Sequence, residues 1–230
     1  MADERYSRTV NLIGEEGLAR LRAARVIVIG TGGVGSYAAE AVVRAGVGHV
    51  TFMDGDVVAP SNLNRQLVAL TSTLGMNKAE VMAARARDIN PDTEVTALGR
   101  FYRDNDELDL TQFDWIIDAI DDVDAKTALI CKAKDLGVNI ISAMGAAGKT
   151  GTDFKVADLA KTSVCPLAKV MRKRLRDRGI EHLPVVYSEE KPAPRNGELG
   201  TLSYVPGSSG LTLAGYVIKS IANSEDAKTD

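Results

Sequence analysis

The sequence predicts an α/β fold of the doubly wound, Rossmann-like class, with a mostly parallel sheet and a C-terminal elaboration. Short runs rich in Val and Ile, typical of strands buried on both faces, alternate along residues 25–145 with segments of helical apolar spacing. A glycine-rich turn follows the first of these runs and precedes a helical segment, which is the order found at the start of a βαβ unit. These observations indicate strands joined by helical crossovers.

The elements can be assigned in order along the chain. We expect strands at residues 25–30, 49–54, 93–98, 114–120 and 138–145, and helices at residues 36–46, 77–90 and 124–137. Gly46 and Pro91 mark two of the helix ends, because glycine favours the residue after a helix and proline cannot continue one. From about residue 150 the pattern loosens into strand-like segments at 154–159, 183–188 and 200–205, a basic helix at 169–178 and a last helix at 211–224. Residues 224–230 have the composition of a frayed end.

The glycine-rich turn predicts a nucleotide site. Gly30, Gly32, Gly33 and Gly35 permit a tight strand-to-helix turn and a close approach of the backbone to a ligand. The following helix then presents unpaired N–H groups to a phosphate. Asp54 ends the second strand and supplies the acceptor expected for a ribose hydroxyl. The motif does not identify the nucleotide, and a purely structural glycine turn is the alternative.

Polar residues beyond the second strand favour a triphosphate over a nicotinamide. Arg65 offers a planar fork of donors to a polyphosphate, and Asn64 adds a neutral donor beside it. Lys78, at the start of a predicted helix, supplies a point charge, and Asp121, just past the fourth strand, is placed to hold Mg²⁺. As alternatives, Arg65 and Lys78 are solvated surface charges and Asp121 caps the next helix.

Composition sets the class of protein. The chain has 230 residues, 45% of them hydrophobic, and a net charge of -3, which is typical of a soluble globular domain. It has no apolar run long enough for a membrane span and no signal peptide, so we expect a cytoplasmic location. Cys131 and Cys165 form no C-x-x-C pair, which argues against a zinc site or a disulfide framework. We expect one domain over residues 1–230, with an N-terminal helical segment (1–24), a nucleotide-binding core (25–150) and a C-terminal substrate region (151–230).

A second glycine-rich segment, residues 142–150, resembles a phosphate-binding P-loop only superficially. Ala143 occupies the position where that motif requires glycine, and the residues that follow are poor helix starters. We expect a loop that lines the site, with Lys149 facing solvent or substrate.

Several motifs together resemble the E1-like adenylating enzymes, which activate a carboxylate with ATP. They are R-Y-S-R at 5–8, G-T-G-G-V-G at 30–35, D-G-D-V-V at 54–58, S-N-L-N-R-Q at 61–66, N-K-A-E at 77–80 and I-D-A-I-D-D at 117–122. The resemblance covers roughly residues 5–150. Within this superfamily, residues 157–176 and 185–192 look most similar to the tRNA threonylcarbamoyladenosine dehydratases.

The resemblance implies ATP-dependent cyclisation of N6-threonylcarbamoyladenosine in tRNA, through adenylation of its threonine carboxylate. It places Gly33 in the phosphate loop, Asp54 at the ribose, Arg65 and Lys78 at the triphosphate, Asn64 beside the phosphates and Asp121 at Mg²⁺. It also places Arg8 in the ATP site of a second subunit, which implies a homodimer, although Arg8 taken alone reads as an ordinary surface residue. The implied cofactors are ATP and Mg²⁺, and the subfamily is associated with a monovalent cation, Na⁺ or K⁺.

Two other functions stay open at this point. Relatives that adenylate the C-terminus of a ubiquitin-like sulfur carrier work with such carriers and cysteine desulfurases, and often hold zinc with C-x-x-C pairs that this chain lacks. Some of them use an acyl-accepting cysteine in the region of Cys165, whereas Cys131 reads as a core residue. The third candidate is a redox or non-catalytic nucleotide-binding module. It is disfavoured by S-N-L-N-R-Q at 61–66 together with Lys78 and Asp121.

The basic helix at 169–178 is a candidate tRNA contact. Helical spacing puts Lys169, Arg172, Lys173 and Arg176 on one side, where they could bind phosphates of an anticodon stem. A solvated helix face is the alternative.

Overall fold

The computed structural model describes residues 4–223, so the fraying expected at residues 224–230 lies outside the described residues. Seven strands form one sheet in the order β3-β2-β1-β4-β5-β7-β6. The strands are β1 Arg25–Ile29, β2 His49–Met53, β3 Glu94–Leu98, β4 Trp115–Asp118, β5 Asn139–Ala143, β6 Lys155–Asp158 and β7 Pro184–Tyr187. Neighbouring strands are parallel except β6, which pairs antiparallel with β7. The doubly wound, mostly parallel sheet is confirmed.

Helices cover both faces of this sheet. They are α1 Ser7–Ala23, α2 Gly35–Ala45, α3 Lys78–Ile89, α4 Val123–Asp135, α5 Pro166–Arg176 and α6 Tyr204–Ala222. Successive residues of β1 point to opposite faces: Val26 and Val28 pack with α2, α3 and α6, whereas Ile27 and Ile29 pack with α4 and α5. The two apolar cores explain why residues 26–29 of the central strand β1 are apolar on both faces.

Local signals set the helix ends near the site. The side chain of Asn77 accepts hydrogen bonds from the backbone N–H groups of Ala79 and Glu80, which caps α3 just before Lys78. Gly46 ends α2 in the left-handed conformation, with φ of 98°. Pro166 occupies the first turn of α5, where no N–H donor is required.

The strand expected at residues 200–205 is wrong. Residues 200–203 are irregular, and α6 begins at Tyr204, seven residues before the predicted start at 211. The glycines in this stretch fit a helix because α6 packs closely on α2: a Cβ at Gly207 would lie 3.2 Å from the Tyr37 ring, and one at Gly210 only 2.2 Å from the Val34 carbonyl oxygen. Tertiary packing outweighs the low helix propensity of glycine here.

No helix within residues 4–223 is both long and apolar enough to cross a bilayer.

Candidate active site

A large cavity lies over the carboxyl ends of the central strands. Its volume is about 1030 Å³, and its walls include Gly32, Gly33, Asp54, Arg65, Lys78 and Asp121. In open α/β sheets the crevice at this edge is the usual ligand site, because the strand order reverses there. The structure therefore brings most of the predicted site residues into one cavity.

The four glycines of the turn after β1 divide into two pairs with different roles. Gly30 has φ of 87°, and a Cβ there would lie 2.7 Å from the carbonyl oxygen of Ala119. A Cβ at Gly35 would lie 1.7 Å from the carbonyl oxygen of Gly30, so these two glycines are required by the fold. Gly32 and Gly33 line the cavity together with Gly30, but Cβ atoms at Gly32 and Gly33 would meet only ordinary contacts at 3.4 Å or more. This second pair leaves the loop backbone open to a ligand.

Asp54 ties the end of β2 to the glycine-rich loop. Its Oδ2 accepts hydrogen bonds from the backbone N–H of Thr31, at 2.7 Å, and from the Thr31 hydroxyl, at 3.1 Å. Its Oδ1 accepts from the backbone N–H of Asp56, at 2.9 Å. Since a carboxylate oxygen can accept more than one hydrogen bond, Oδ1 keeps capacity for a ligand hydroxyl.

Lys78 is a buried cation on the cavity wall. Its side chain is 7% exposed, and its Nζ lies 2.8 Å from Oδ2 of Asp56, whose side chain is 55% exposed. Lys78 is also the first residue of α3, where unpaired backbone N–H groups add positive potential. The solvated-surface alternative for Lys78 is therefore wrong, because its ammonium is held at the ligand cavity.

Arg65 lines the cavity, whereas Asn64 is not among the cavity-lining residues. Nη1 of Arg65 donates to the carbonyl oxygen of Ser61, at 2.8 Å, and to Oδ1 of Asn64, at 2.9 Å. Nδ2 of Asn64 donates to the carbonyl oxygen of Thr201, at 3.1 Å. In this structure Asn64 thus orients Arg65 and fastens the segment before α6, and its amide is engaged in both contacts.

Gln66 and the aromatic wall were missed by the site prediction. Gln66 lines the cavity, is 8% exposed, and its Oε1 has no hydrogen-bond partner among the described residues. The sequence signal that could have identified Gln66 is its position in the S-N-L-N-R-Q motif, next to Arg65. Phe101 and Tyr102, which follow β3, also line the cavity. Burial, with Asp106 and Asp104 nearby, raises the pKa of Tyr102 to about 12, so its hydroxyl is a neutral donor at physiological pH.

Asp121 and Asp122 have separate functions in the turn before α4. Oδ1 of Asp122 accepts from the backbone N–H of Ala125, at 2.7 Å, and caps the helix. Asp121 is exposed on the cavity wall and makes no hydrogen bond or ion pair within residues 4–223. The helix-cap alternative therefore belongs to Asp122, and the Asp121 carboxylate is open to a cation.

Arg8 lies apart from this cavity. It is an exposed residue of α1, is not among the residues that line the cavity, and has no hydrogen bond or ion pair within the described range. A single chain does not bring Arg8 to the site.

Comparison with known proteins identifies the family. The ThiF family model matches residues 6–230. The tRNA threonylcarbamoyladenosine dehydratase of Bacillus subtilis (strain 168) is 38% identical over 97% of this chain and 96% of its own length. The dehydratase of Escherichia coli (strain K12) is 41% identical over 77% of this chain and 68% of its own length. The structure of the E. coli enzyme in complex with ATP superposes with a TM-score of 0.89 at 34% identity, covering 98% of this chain and 96% of that one.

The chain belongs to the ThiF family. In this ThiF-family protein the loop at residues 144–147 lines the cavity as expected, but the orientation predicted for Lys149 is wrong. Lys149 is 3% exposed, and its Nζ donates to the carbonyl oxygen of Ser188 and lies over the Phe154 ring. Burial lowers the pKa of Lys149. Its ammonium therefore faces neither solvent nor substrate.

The two cysteines of this ThiF-family protein differ in their access to the cavity. Cys131 was predicted to be a core residue, but it is half-buried and lines the cavity. Burial raises the pKa of its thiol, which disfavours the nucleophilic thiolate. Cys165 is 2% exposed at the start of α5. The geometry thus gives Cys165 no access for an acyl transfer.

The predicted basic face of α5 is only partly correct. Nη1 of Arg172 donates to the carbonyl oxygen of Thr162, at 2.8 Å, so this arginine anchors α5 to the preceding segment. Lys169, Lys173 and Arg176 are exposed. Arg174, within α5, and Arg178, two residues past its end, line the cavity. One helix therefore carries basic groups both along its open face and at the cavity.

Proposed function

We propose that this chain is an ATP-dependent tRNA threonylcarbamoyladenosine dehydratase. The observation that carries the proposal is the convergence of two cations, an open carboxylate and a glycine-rich phosphate loop in one cavity: Arg65, Lys78, Asp121 and the Gly32–Gly33 backbone. Relatives of that name match the chain over nearly its whole length, and one was solved with ATP. The absence of C-x-x-C pairs and the burial of Cys165 favour this function over adenylation of a sulfur carrier.

The reaction follows from one activation and one ring closure. An oxygen of the threonine carboxylate attacks the α-phosphorus of ATP, and pyrophosphate leaves. The tethered carbamoyl group then attacks the activated carbonyl carbon, and the bond to AMP breaks. Because both reacting groups belong to one substrate, proximity supplies much of the rate. Overall, water is removed from the nucleoside while ATP becomes AMP and pyrophosphate.

The cavity residues fit this charge distribution. Arg65 and Lys78 would neutralise charge that develops on the phosphates, and the N–H groups after Gly32 would bind a phosphate oxygen. Asp54 would accept from a ribose hydroxyl through the remaining capacity of Oδ1. The Phe101 and Tyr102 wall lies on the β2–β3 side of the cavity, next to the expected ribose position.

Mg²⁺ fits the donors present at Asp121. No group of three or more His, Cys, Asp or Glu side chains within residues 4–223 forms a metal cage. Mg²⁺ commonly binds through one or two carboxylates together with phosphate oxygens and water, which requires no such cage. Asp121 would hold the ion against the phosphates, where it would neutralise their charge.

We also propose that the active unit is a homodimer in which Arg8 completes the ATP site of the partner. The support is its exposure on α1, away from its own cavity, together with the R-Y-S-R motif. Mixing the inactive variants Arg8→Ala and Arg65→Ala tests this arrangement. Because mixed dimers would contain one intact site, activity should return on mixing; a mixture that exchanges subunits yet stays inactive would contradict it.

The tRNA would approach along α5. Arg174 and Arg178 lie at the cavity, and Lys169, Lys173 and Arg176 continue the positive charge away from it. Charge reversal at Lys173 and Arg176 should weaken tRNA binding and reduce its salt dependence, because each lost phosphate contact lowers the salt slope by about one. ATP binding should be unchanged in these variants.

The decisive experiment is product analysis. The protein would be incubated with Mg-ATP and tRNA carrying threonylcarbamoyladenosine, and the nucleosides analysed by mass spectrometry. The expected result is loss of the mass of one water, with AMP released in equal amount. If ATP binds but the modified nucleoside keeps its mass, the dehydratase function is refuted.

A further inference from the structure

A buried charged cluster lies beneath the cavity and has no place in the chemistry described above. It consists of Asp118 at the end of β4, Lys126 in α4 and Ser142 in β5. The side chains of Lys126 and Asp118 are both 0% exposed, with Nζ and Oδ2 2.7 Å apart. The Ser142 hydroxyl donates to the same Oδ2 at 2.6 Å, and Lys126 Nζ donates to the Ser142 hydroxyl at 3.1 Å.

A fully buried ion pair is poor evidence for a stability role. Desolvation of both charges opposes their attraction, so well-packed apolar residues of similar size often stabilise a fold equally well. The Asp118–Lys126–Ser142 cluster joins two strands and one helix at the strand ends that form the cavity floor. Its location therefore suggests a role in the geometry of the site.

The second oxygen of Asp118 shows what the cluster controls. Oδ1 of Asp118 accepts from the backbone N–H of Ile120, at 3.1 Å. This bond fixes the turn between β4 and α4, and the following residue is Asp121. On the other side, Asp122 is fixed by its cap to Ala125. Asp121 itself has no partner within residues 4–223, so the two anchored neighbours set its position.

We propose that Asp118, oriented and neutralised by Lys126 and Ser142, is a positioning residue that holds the Asp121 carboxylate at the Mg²⁺ position of the nucleotide site. Lys126 and Ser142 fix Oδ2, which aims Oδ1 at the Ile120 N–H. Lys126 also cancels the charge of Asp118. Of the two exposed carboxylates in this turn, Asp122 is engaged in capping α4, which leaves Asp121 open to a cation. The inference rests on the proposed use of Mg-ATP, but not on the identity of the second substrate.

Two double variants separate this role from a structural one. Asp118→Asn with Lys126→Met removes both charges but keeps an acceptor for the Ile120 N–H. Asp118→Leu with Lys126→Met removes the charges and the acceptor together. Both replace the ion pair by neutral groups of similar size, so neither leaves a buried charge without a partner.

The experiment is a calorimetric titration of Mg²⁺ into protein that is saturated with a non-hydrolysable ATP analogue, and it measures the apparent affinity for Mg²⁺. In the Leu/Met variant the apparent Mg²⁺ affinity should fall about 10- to 100-fold, the usual effect of losing a residue that orients a metal ligand. In the Asn/Met variant it should stay close to wild type. Glu40→Gln, at an ion pair between α2 and α3 outside the cavity, serves as control and should leave the Mg²⁺ dependence unchanged.

Wild-type Mg²⁺ dependence in a folded Leu/Met variant would overturn the proposal, as would equal losses in both double variants. If the Leu/Met variant fails to fold, Ser142→Ala replaces it: loss of that donor should weaken Mg²⁺ binding in the same direction, and no change refutes the role. Because the readout is the binding of Mg²⁺ and nucleotide, the positioning role of Asp118 can be tested separately from the dehydratase function. A wild-type protein that binds Mg-ATP without dehydrating tRNA refutes the dehydratase and leaves the positioning role standing.

Discussion

Replacing Arg65 by alanine tests the chemistry of the site most directly. In the structure Nη1 of Arg65 is engaged by the Ser61 carbonyl oxygen and by Asn64, which fixes the plane of the guanidinium. Nε and Nη2 have no partner within the described residues and are free to donate to a phosphate. A guanidinium held in this way offers a bidentate contact that a flexible lysine does not reproduce.

The expected loss can be worked out from those free donors. Hydrogen bonds to charged groups contribute about 1.5–3 kcal/mol each, so two of them on the phosphates amount to about 3–6 kcal/mol. At about 1.4 kcal/mol per tenfold, kcat/KM for AMP formation should fall about 10²- to 10⁴-fold. The cost to the fold is much smaller, because only two local hydrogen bonds are lost. We expect the melting temperature to fall by about 2–4 °C per kcal/mol lost, and by a few degrees in total.

AMP release with modified tRNA and Mg-ATP gives the rate, and thermal unfolding gives the stability. Arg65→Lys should lie between wild type and Arg65→Ala, since it keeps the charge and loses the fork. Arg87→Ala is the matched control: Arg87 is an exposed arginine that donates to the Val95 carbonyl oxygen and lies outside the cavity, and its loss should leave activity unchanged. An Arg65→Ala enzyme with wild-type kcat/KM would refute the assignment of Arg65 to the phosphates.

Four further substitutions have distinct expected outcomes. Gly35→Ala should prevent stable folding, because its Cβ would lie 1.7 Å from the Gly30 carbonyl oxygen, whereas Gly32→Ala should fold and bind ATP more weakly; soluble yield and calorimetry check the pair. Asp122→Ala should cost about 1 kcal/mol of unfolding free energy through loss of a helix cap, as measured by urea unfolding. Lys149→Met is tested by the pH dependence of stability. Burial lowers the pKa of Lys149 in the folded state, so folding of the protonated protein carries a free-energy cost at pH values below that pKa. This destabilisation decreases as the pH rises from the folded-state pKa towards 10.5, the value of an unperturbed lysine. The wild type should therefore gain stability relative to Lys149→Met in that window, and a constant difference between the two would contradict the argument.

The sheet was predictable because its signals are local. Runs such as residues 26–29 are apolar on both faces, which is typical of a strand covered by helices on both sides. The turn glycines, the cap at Asn77 and the proline after α3 each act within a few residues of their own position. The cavity residues could be predicted once the strands were assigned, because the carboxyl ends of neighbouring parallel strands meet at one edge of the sheet.

The parts that failed depend on contacts between distant segments. Residues 200–205 have strand-like composition, and only the approach of α2 makes part of this segment helical. Lys149 lies in a polar loop, and nothing nearby in the sequence indicates that Ser188 and Phe154 enclose it. Likewise, the spacing of basic residues in α5 does not reveal that Arg172 is anchored to Thr162. Sequence periodicity gives the face of a helix but not what covers it.

The size of the cavity bears on how the two steps are joined. Ligand sites for single small molecules typically enclose about 300–1,000 Å³, and this cavity is at the upper end, at about 1030 Å³. The groups proposed to bind the phosphates lie on its β1–β2 side, whereas Met144, Gly145 and Leu167 line a wall formed by β5 and α5. There is thus room for a nucleotide and for a second substrate that reaches the α-phosphate from the α5 side. Because the adenylated carboxylate and the carbamoyl group that displaces AMP are tethered, both steps can occur in this cavity without transfer to a cysteine, which agrees with the burial of Cys165.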